Sequence, residues 1–127
     1  MGQAIPNPAD ILVVDDSEIM RNMISGILQN GETPVATAAS GKDALAMMAN
    51  RKFKVVVADK DMPGISGIEL TQAIRARDKK TVIIGISANN APWVDAAFKK
   101  AGANRFIAKE EADLLPEIII AELAFAA

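Results

Sequence analysis

FKVVVAD, residues 53–59, is a β-branched run with no polar alternation, and it stops on an aspartate. A strand buried on both faces reads this way, as in a parallel sheet covered by helices. Working outward, ILVVD at 11–15 repeats the pattern, and TVIIGI at 81–86 runs straight into Ser87. PVATA at 34–38 and NRFIA at 104–108 are weaker strands. Helical patterns separate these runs. After the first strand, Ile19/Met20, Met23/Ile24 and Ile27/Leu28 recur in steps of four and stop at Asn30-Gly31. Gly31 suits the left-handed position after a helix. Ser40 is placed to cap a helix through about Asn50, with Leu45 and Met48 turned inward. After the Pro63-Gly64 turn, Ser66-Gly-Ile-Glu69 forms a capping box that opens a helix with Leu70 and Ile74 on one face. A helix from about Pro92 to Ala101 ends at Gly102. The final helix is expected to start near Asp113, which leaves Pro116 in its first turn.

Five strands alternating with five helices predict one α/β domain: a parallel, doubly wound sheet with helices on both faces and right-handed crossovers. No linker, repeat or low-complexity stretch interrupts it. The 127 residues, half of them hydrophobic and 24% charged, suit a single globular domain. There is no cysteine, histidine or tyrosine. Thiol chemistry, disulfides, an imidazole base, a His-ligated metal and a Ser-His-Asp triad are therefore excluded. The net charge of −2 gives no basic footprint for direct nucleic-acid binding. The first ten residues lack a charged and an apolar segment, and Pro6 spoils a myristoylation reading at Gly2. No stretch is long enough to span a membrane, so the expected location is the cytoplasm.

In such a sheet, ligands bind beyond the carboxyl ends of the strands. The polar residues closing the apolar runs are Asp15 and Asp16, Asp59, Ser87 and Lys109. Each alone reads as a turn former, a cap or a solvated charge. Their joint placement on consecutive strand ends favours a site. Three clustered carboxylates repel one another unless a cation joins them, and hard oxygen ligands favour Mg²⁺, with Mn²⁺ as the other fitting ion. A lysine and a hydroxyl aimed at the same spot add donors for the oxygens of a transferring phosphoryl group, with a carboxylate as acceptor.

With these residues in place, the sequence resembles the receiver domains of two-component response regulators, of the chemotaxis type. The resemblance runs from about Asp10 to the C-terminus, leaving residues 1–9 as a tail. ILVVDDS at 11–17, VVVADKDMPGISG at 55–67, IGISA at 84–88 and AGANRFIAK at 101–109 carry it. It implies a flavodoxin-like sheet of strand order 2-1-3-4-5. It also implies that Asp59 accepts a phosphoryl group from a partner histidine, on a histidine kinase or a histidine phosphotransfer domain of a two-component or phosphorelay system. By the same resemblance, Asp16, Asp59 and the backbone carbonyl of Asp61 hold Mg²⁺, and Asp15 acts through water. Ser87 and Lys109 contact the phosphoryl oxygens. Ser87 and Phe106 form the switch, and the signal leaves by the face of the fourth helix, fifth strand and fifth helix. Transfer and autodephosphorylation would be self-catalysed, unlike the turnover of a conventional enzyme.

Three departures stand out. Glu110 follows Lys109 where the family usually has proline, so that bond is either trans or strained. Asp61 puts a carboxylate beside the acceptor, either solvated or orienting a water. Ser87 replaces the commoner threonine, which loosens coupling to Phe106. In the last helix, Leu114, Ile118, Ala121 and Phe125 form one stripe, and Leu115, Ile119 and Leu123 a second, with Ile120 further round. This arc is wider than one sheet face needs. It reads as a helix merely rich in apolar residues, or as a homodimer or domain contact through Leu115, Ile119, Ile120 and Leu123. Trp93 reads first as a packing residue; exposed, it would mark a partner surface.

Two other functions compete. Asp59-Lys-Asp61 resembles the Asp-x-Asp signature of haloacid-dehalogenase-like phosphatases, but that family places it on the first strand. A pseudo-receiver, binding without phosphorylation, is opposed by the intact set Asp15, Asp16, Asp59, Ser87 and Lys109. No glycine-rich dinucleotide loop follows the first strand. Without a DNA-binding extension, the chain is expected to act as a stand-alone receiver or as one cut from a larger protein.

Overall fold

Successive strand residues point to opposite faces, and in this chain both faces are apolar, so the central strands are buried at every position. In the computed structural model, which describes residues 7–29 and 34–126, these are β1 (Ile11–Val14), β3 (Val55–Asp59) and β4 (Val82–Ser87). β2 (Ala36–Ala38) and β5 (Arg105–Ala108) form the edges. All pairings are parallel and the order is β2-β1-β3-β4-β5, as expected.

The helices are α1 (Glu18–Leu28), α2 (Gly41–Asn50), α3 (Gly67–Arg77), α4 (Pro92–Ala101) and α5 (Leu115–Ala126). Ile11, Val13, Val55 and Ile84 meet Ile24 and Leu28 of α1 and Leu115 and Ile119 of α5 on one face. Leu12, Val14, Val56 and Ile83 meet Leu70 and Ile74 of α3 and Val94 and Phe98 of α4 on the other. The caps form where the sequence puts them. Ser40 accepts from Asp43 N, and Ser66 and Glu69 make the reciprocal capping box at 3.1 and 3.0 Å. Gly102 ends α4 in the left-handed region at φ 113°, which a side chain would strain. Arg75 ties this turn to α3, donating to the Gly102 carbonyl at 2.7 Å and to Asn104 Oδ1 at 2.7 Å.

Several expectations need correction. In α1, Ile19 is 80% exposed and Met23 also faces outward, while Ile24 and Leu28 carry the packing and Met20 and Ile27 flank them. A helix needs only one inward row, and positions 19 and 23 lie about 100° behind it. In α2 the expectation holds: Leu45 and Met48 turn inward, half-buried against the core, beside the buried Gly41 and Ala44. β2 is shorter than residues 34–38, although Val35 is buried. α5 begins at Leu115 rather than near Asp113, because Lys109–Leu114 forms a 3₁₀ segment; Pro116 still falls in the first turn. A second 3₁₀ turn, Pro8–Asp10, precedes β1 and buries Pro8. The expected glycine stop at Gly31 lies outside the described residues.

The surface reading of the last helix also changes. Leu115 and Ile119 are fully buried and cannot serve as a docking face, while Ile120 and Leu123 are half-buried. α5 packs against both β4 and α1, and this double contact accounts for its wide apolar arc. Phe125 of α5 and Leu114, the last residue of the preceding 3₁₀ segment, are exposed large apolar side chains. Trp93 is 56% exposed and not a core residue, since Val94 and Phe98 supply the inner row of α4. No helix among the described residues is long and apolar enough to cross a membrane.

Candidate active site

Register brings the strand ends to one rim. Val14 stands beside Ala58, Asp59 beside Ile86, and Ser87 beside Ala108. Asp15 follows β1, next to β3, and Lys109 follows β5, from where its side chain reaches past the end of β4 to Asp59. The carboxylates of Asp15, Asp16 and Asp59 converge, with one oxygen of each within 4.8 Å of the others. Asp15 and Asp59 are buried, and Asp16 is exposed.

Local structure fixes each group. Asp15 Oδ1 accepts from Ser17 N–H at 2.9 Å, and the Asp15 carbonyl accepts from Arg21 Nη1 at 2.8 Å. Ser17 in turn caps α1 through Met20 N–H at 3.2 Å, so the acid pair and the helix start are one unit. Lys109 Nζ lies 3.1 Å from Asp59 Oδ1 and 3.5 Å from Asp15 Oδ2. Gly67 lets α3 press against the end of β3: a Cβ there would run into the Asp59 carbonyl oxygen. Ser87 is fully buried, and its Oγ accepts from Asn89 N–H at 3.0 Å, which leaves its own proton to donate. The peptide bonds of the described residues include no cis bond, so Lys109–Glu110 is trans. Phe106 is half-buried and stacked on Phe98, with centroids 5.5 Å apart and planes at 25°.

The electrostatics follow from crowding. Burial raises the Asp59 carboxyl to about 6, and the Asp15 charge adds to this; the hydrogen bond and charge of Lys109 pull the other way, and Asp61 pushes up again. Burial lowers the Lys109 ammonium, but its hydrogen bond to Asp59 and the charges of Asp59 and Asp15 outweigh that and hold it above its usual value. Asp15 Oδ2 is buried and accepts no hydrogen bond among the described residues. A buried carboxylate oxygen with no hydrogen bond, held only by the Lys109 charge at 3.5 Å and set beside two more carboxylates, fits a hard divalent cation.

Asp61 departs from the core of this group. Its side chain is 70% exposed and pairs with Lys60 Nζ at 2.8 Å. Arg21, Asn89 and Lys60 are contacts that sequence reasoning did not single out. Arg21 had a faint signal, one helical turn past Ser17; Lys60 had none, because a lysine in a loop reads as a solvated charge.

Comparison with known proteins agrees with this geometry. Residues 11–119 match the family model of the response regulator receiver domain. The chemotaxis protein CheY of Pseudomonas aeruginosa is 35% identical over 104 residues, which span 78% of this chain and 82% of that protein. The CAI-1 autoinducer sensor kinase/phosphatase CqsS of Vibrio cholerae is 33% identical over 102 residues, 78% of this chain but 15% of that protein. Among solved structures, the chemotaxis protein CheY4 of Vibrio cholerae superposes with a TM-score of 0.77 at 31% identity, covering 92% of this chain and 97% of the other. The Francisella response regulator 1452 receiver domain gives a TM-score of 0.83 over 92% and 98% of the two chains; at 24% identity it speaks for the fold alone. Strand order, the acidic cluster at the rim and the match over residues 11–119 agree, and the chain belongs to the response-regulator receiver family.

Proposed function

We propose that residues 10–127 act as a phosphoacceptor, with Asp59 taking a phosphoryl group from a histidine on a kinase or a histidine phosphotransfer domain. The observation that carries this reading is the convergence of three carboxylates within 4.8 Å, with Lys109 bridging two of them. An Asp59 oxygen attacks phosphorus, the phosphorus–nitrogen bond breaks, and the imidazole leaves. Asp59 is placed for this role because it lies between the acid pair and the lysine, whereas Asp15 Oδ1 is already engaged by Ser17.

Asp16, Asp59 and the backbone carbonyl of Asp61 would hold Mg²⁺, or Mn²⁺, with Asp15 acting through water. When bound, the ion supplies positive charge to the phosphoryl oxygens. Lys109 supplies a second cation and Ser87 a hydroxyl donor to the same oxygens. A new dianion at Asp59 draws Ser87 toward it and away from Asn89, and Phe106 follows by repacking on Phe98. The signal then leaves by α4, β5 and α5, as a population shift between two packings. The groove there is lined by Pro92, Asp95, Phe106 and Glu111, which suits a protein partner rather than nucleic acid. We place the protein in the cytoplasm and off the membrane. Any homodimer or domain contact at the last helix would use Leu114 and Phe125, with Ile120 and Leu123 at its margin. The exposed Asp61 side chain, tied to Lys60, argues against a phosphatase-type Asp59–Asp61 pair.

The test uses phosphoramidate, whose phosphorus–nitrogen bond resembles that of phosphohistidine. Intact mass is expected to rise by one phosphoryl group in the parent with Mg²⁺. No gain is expected without metal or in Asp59→Asn. An equal gain in Asp59→Asn would contradict the reading.

A further inference from the structure

Lysine side chains usually trail into water. Lys60 does not. It follows Asp59 directly, yet its side chain is only 16% exposed. Its Nζ lies 2.8 Å from Asp61 Oδ1 and 5.2 Å from the centroid of the Trp93 ring. The backbone is pinned at both ends: Lys60 N–H donates to the Ile86 carbonyl, and the Lys60 carbonyl accepts from Gly67 N–H, each at 2.9 Å. Trp93 stands on the first turn of α4, where it contributes nothing to the buried row of Val94 and Phe98. Its indole face instead offers a cation–π partner to this ammonium. A cation is thus clamped between an aromatic ring on one element and the carboxylate two residues past the acceptor.

We propose that Lys60 is a positioning residue: clamped by Trp93, it holds the Asp61 carboxylate away from the phosphoryl group on Asp59 and so lengthens that group's lifetime. This rests on the reading of Asp59 as phosphoacceptor. Loss of the phosphoryl group is a hydrolysis. Water oxygen bonds to phosphorus, and the bond from phosphorus to the Asp59 oxygen breaks. Asp59 returns to a carboxylate, inorganic phosphate leaves, and the attacking water gives a proton to a base. Asp61 is a carboxylate close enough for its charge to be felt at Asp59. The contact of Lys60 with its Oδ1 fixes the direction of the carboxylate; with that ammonium removed, the carboxylate can turn toward the phosphoryl group and accept the proton of the attacking water.

The experiment phosphorylates each protein with acetyl phosphate and Mg²⁺, removes the donor rapidly, and follows the bound phosphoryl group by intact mass. Lys60→Met is expected to shorten the half-life roughly a hundredfold, the low end for a general base brought into play. Lys60→Arg, which keeps the charge, is expected to restore it to within about twofold. Adding Asp61→Asn to Lys60→Met is expected to cancel the shortening, since the two effects run through one contact. Trp93→Leu, at an exposed position, should shorten the half-life in the same direction and serves if Lys60→Met does not fold. Equal half-lives in the parent, Lys60→Met and Trp93→Leu would overturn the proposal. So would a shortening that persists with Asp61→Asn. No phosphoryl group on the parent would instead contradict the phosphoacceptor reading, and the clamp would fall with it.

Discussion

At the scale of single residues, Asp59 is held in conflict. Burial and the neighbouring Asp15 charge raise it to about 6, although Lys109 sits 3.1 Å away. An unfolded chain releases this proton near 3.8, the ordinary value, so between pH 3.8 and about 6 the folded state binds the extra proton. Stability tied to this group is therefore fully present below pH 3.8 and lost as pH rises through 6. Above that window the ionised carboxylate costs stability until a cation joins it. Without metal, Asp59→Asn is predicted to be more stable than the parent by roughly 1–3 kcal/mol at pH 7.5. The gap should narrow toward pH 4, and Mg²⁺ should narrow it at pH 7.5 by binding the parent alone. Urea melts at the two pH values, with and without metal, check this. The acids themselves were legible, because each closes an apolar run. The lone pair left on Asp15 Oδ2 and the clamp on Lys60 were not, since both arise from elements far apart in sequence.

Among the elements, α5 separates what a pattern can tell from what it cannot. Its apolar arc was plain from the sequence, but two different neighbours can cover such an arc. Here the sheet and α1 cover it together, so Leu115 and Ile119 are core residues. Leu115→Ala is predicted to cost about 2–5 kcal/mol, as for other core truncations, and to leave the oligomeric state unchanged. A urea melt together with sedimentation distinguishes this from loss of an interface. α1 carries the same lesson in reverse. Its paired apolar positions mark the helix but do not say which member of each pair faces inward, and Ile19 points to water. Caps were the most legible features. Ser40, Ser66 with Glu69, and Gly102 act locally, through residues two to four positions away, and stand where the sequence puts them. The 3₁₀ segment Lys109–Leu114 carries no periodicity to read, and it displaced the expected start of α5.

For the whole molecule, topology does the assembling. Parallel strands all end on one edge, so the acid pair at 15 and 16, Asp59, Ser87 and Lys109 meet there from four strand ends far apart in sequence. The sheet was legible because three runs are too apolar to be anything but strands covered on both faces. The central claim is that Asp59, and not one of its carboxylate neighbours, receives the phosphoryl group. Asp15, Asp16 and Asp61 are all close enough in space or sequence to compete. The direct measurement is to load the protein with acetyl phosphate and Mg²⁺, reduce the acyl phosphate with borohydride to the alcohol, and find the altered residue by peptide mass spectrometry. The account predicts conversion at Asp59 alone. Conversion at Asp15, Asp16 or Asp61, with Asp59 intact, would contradict it.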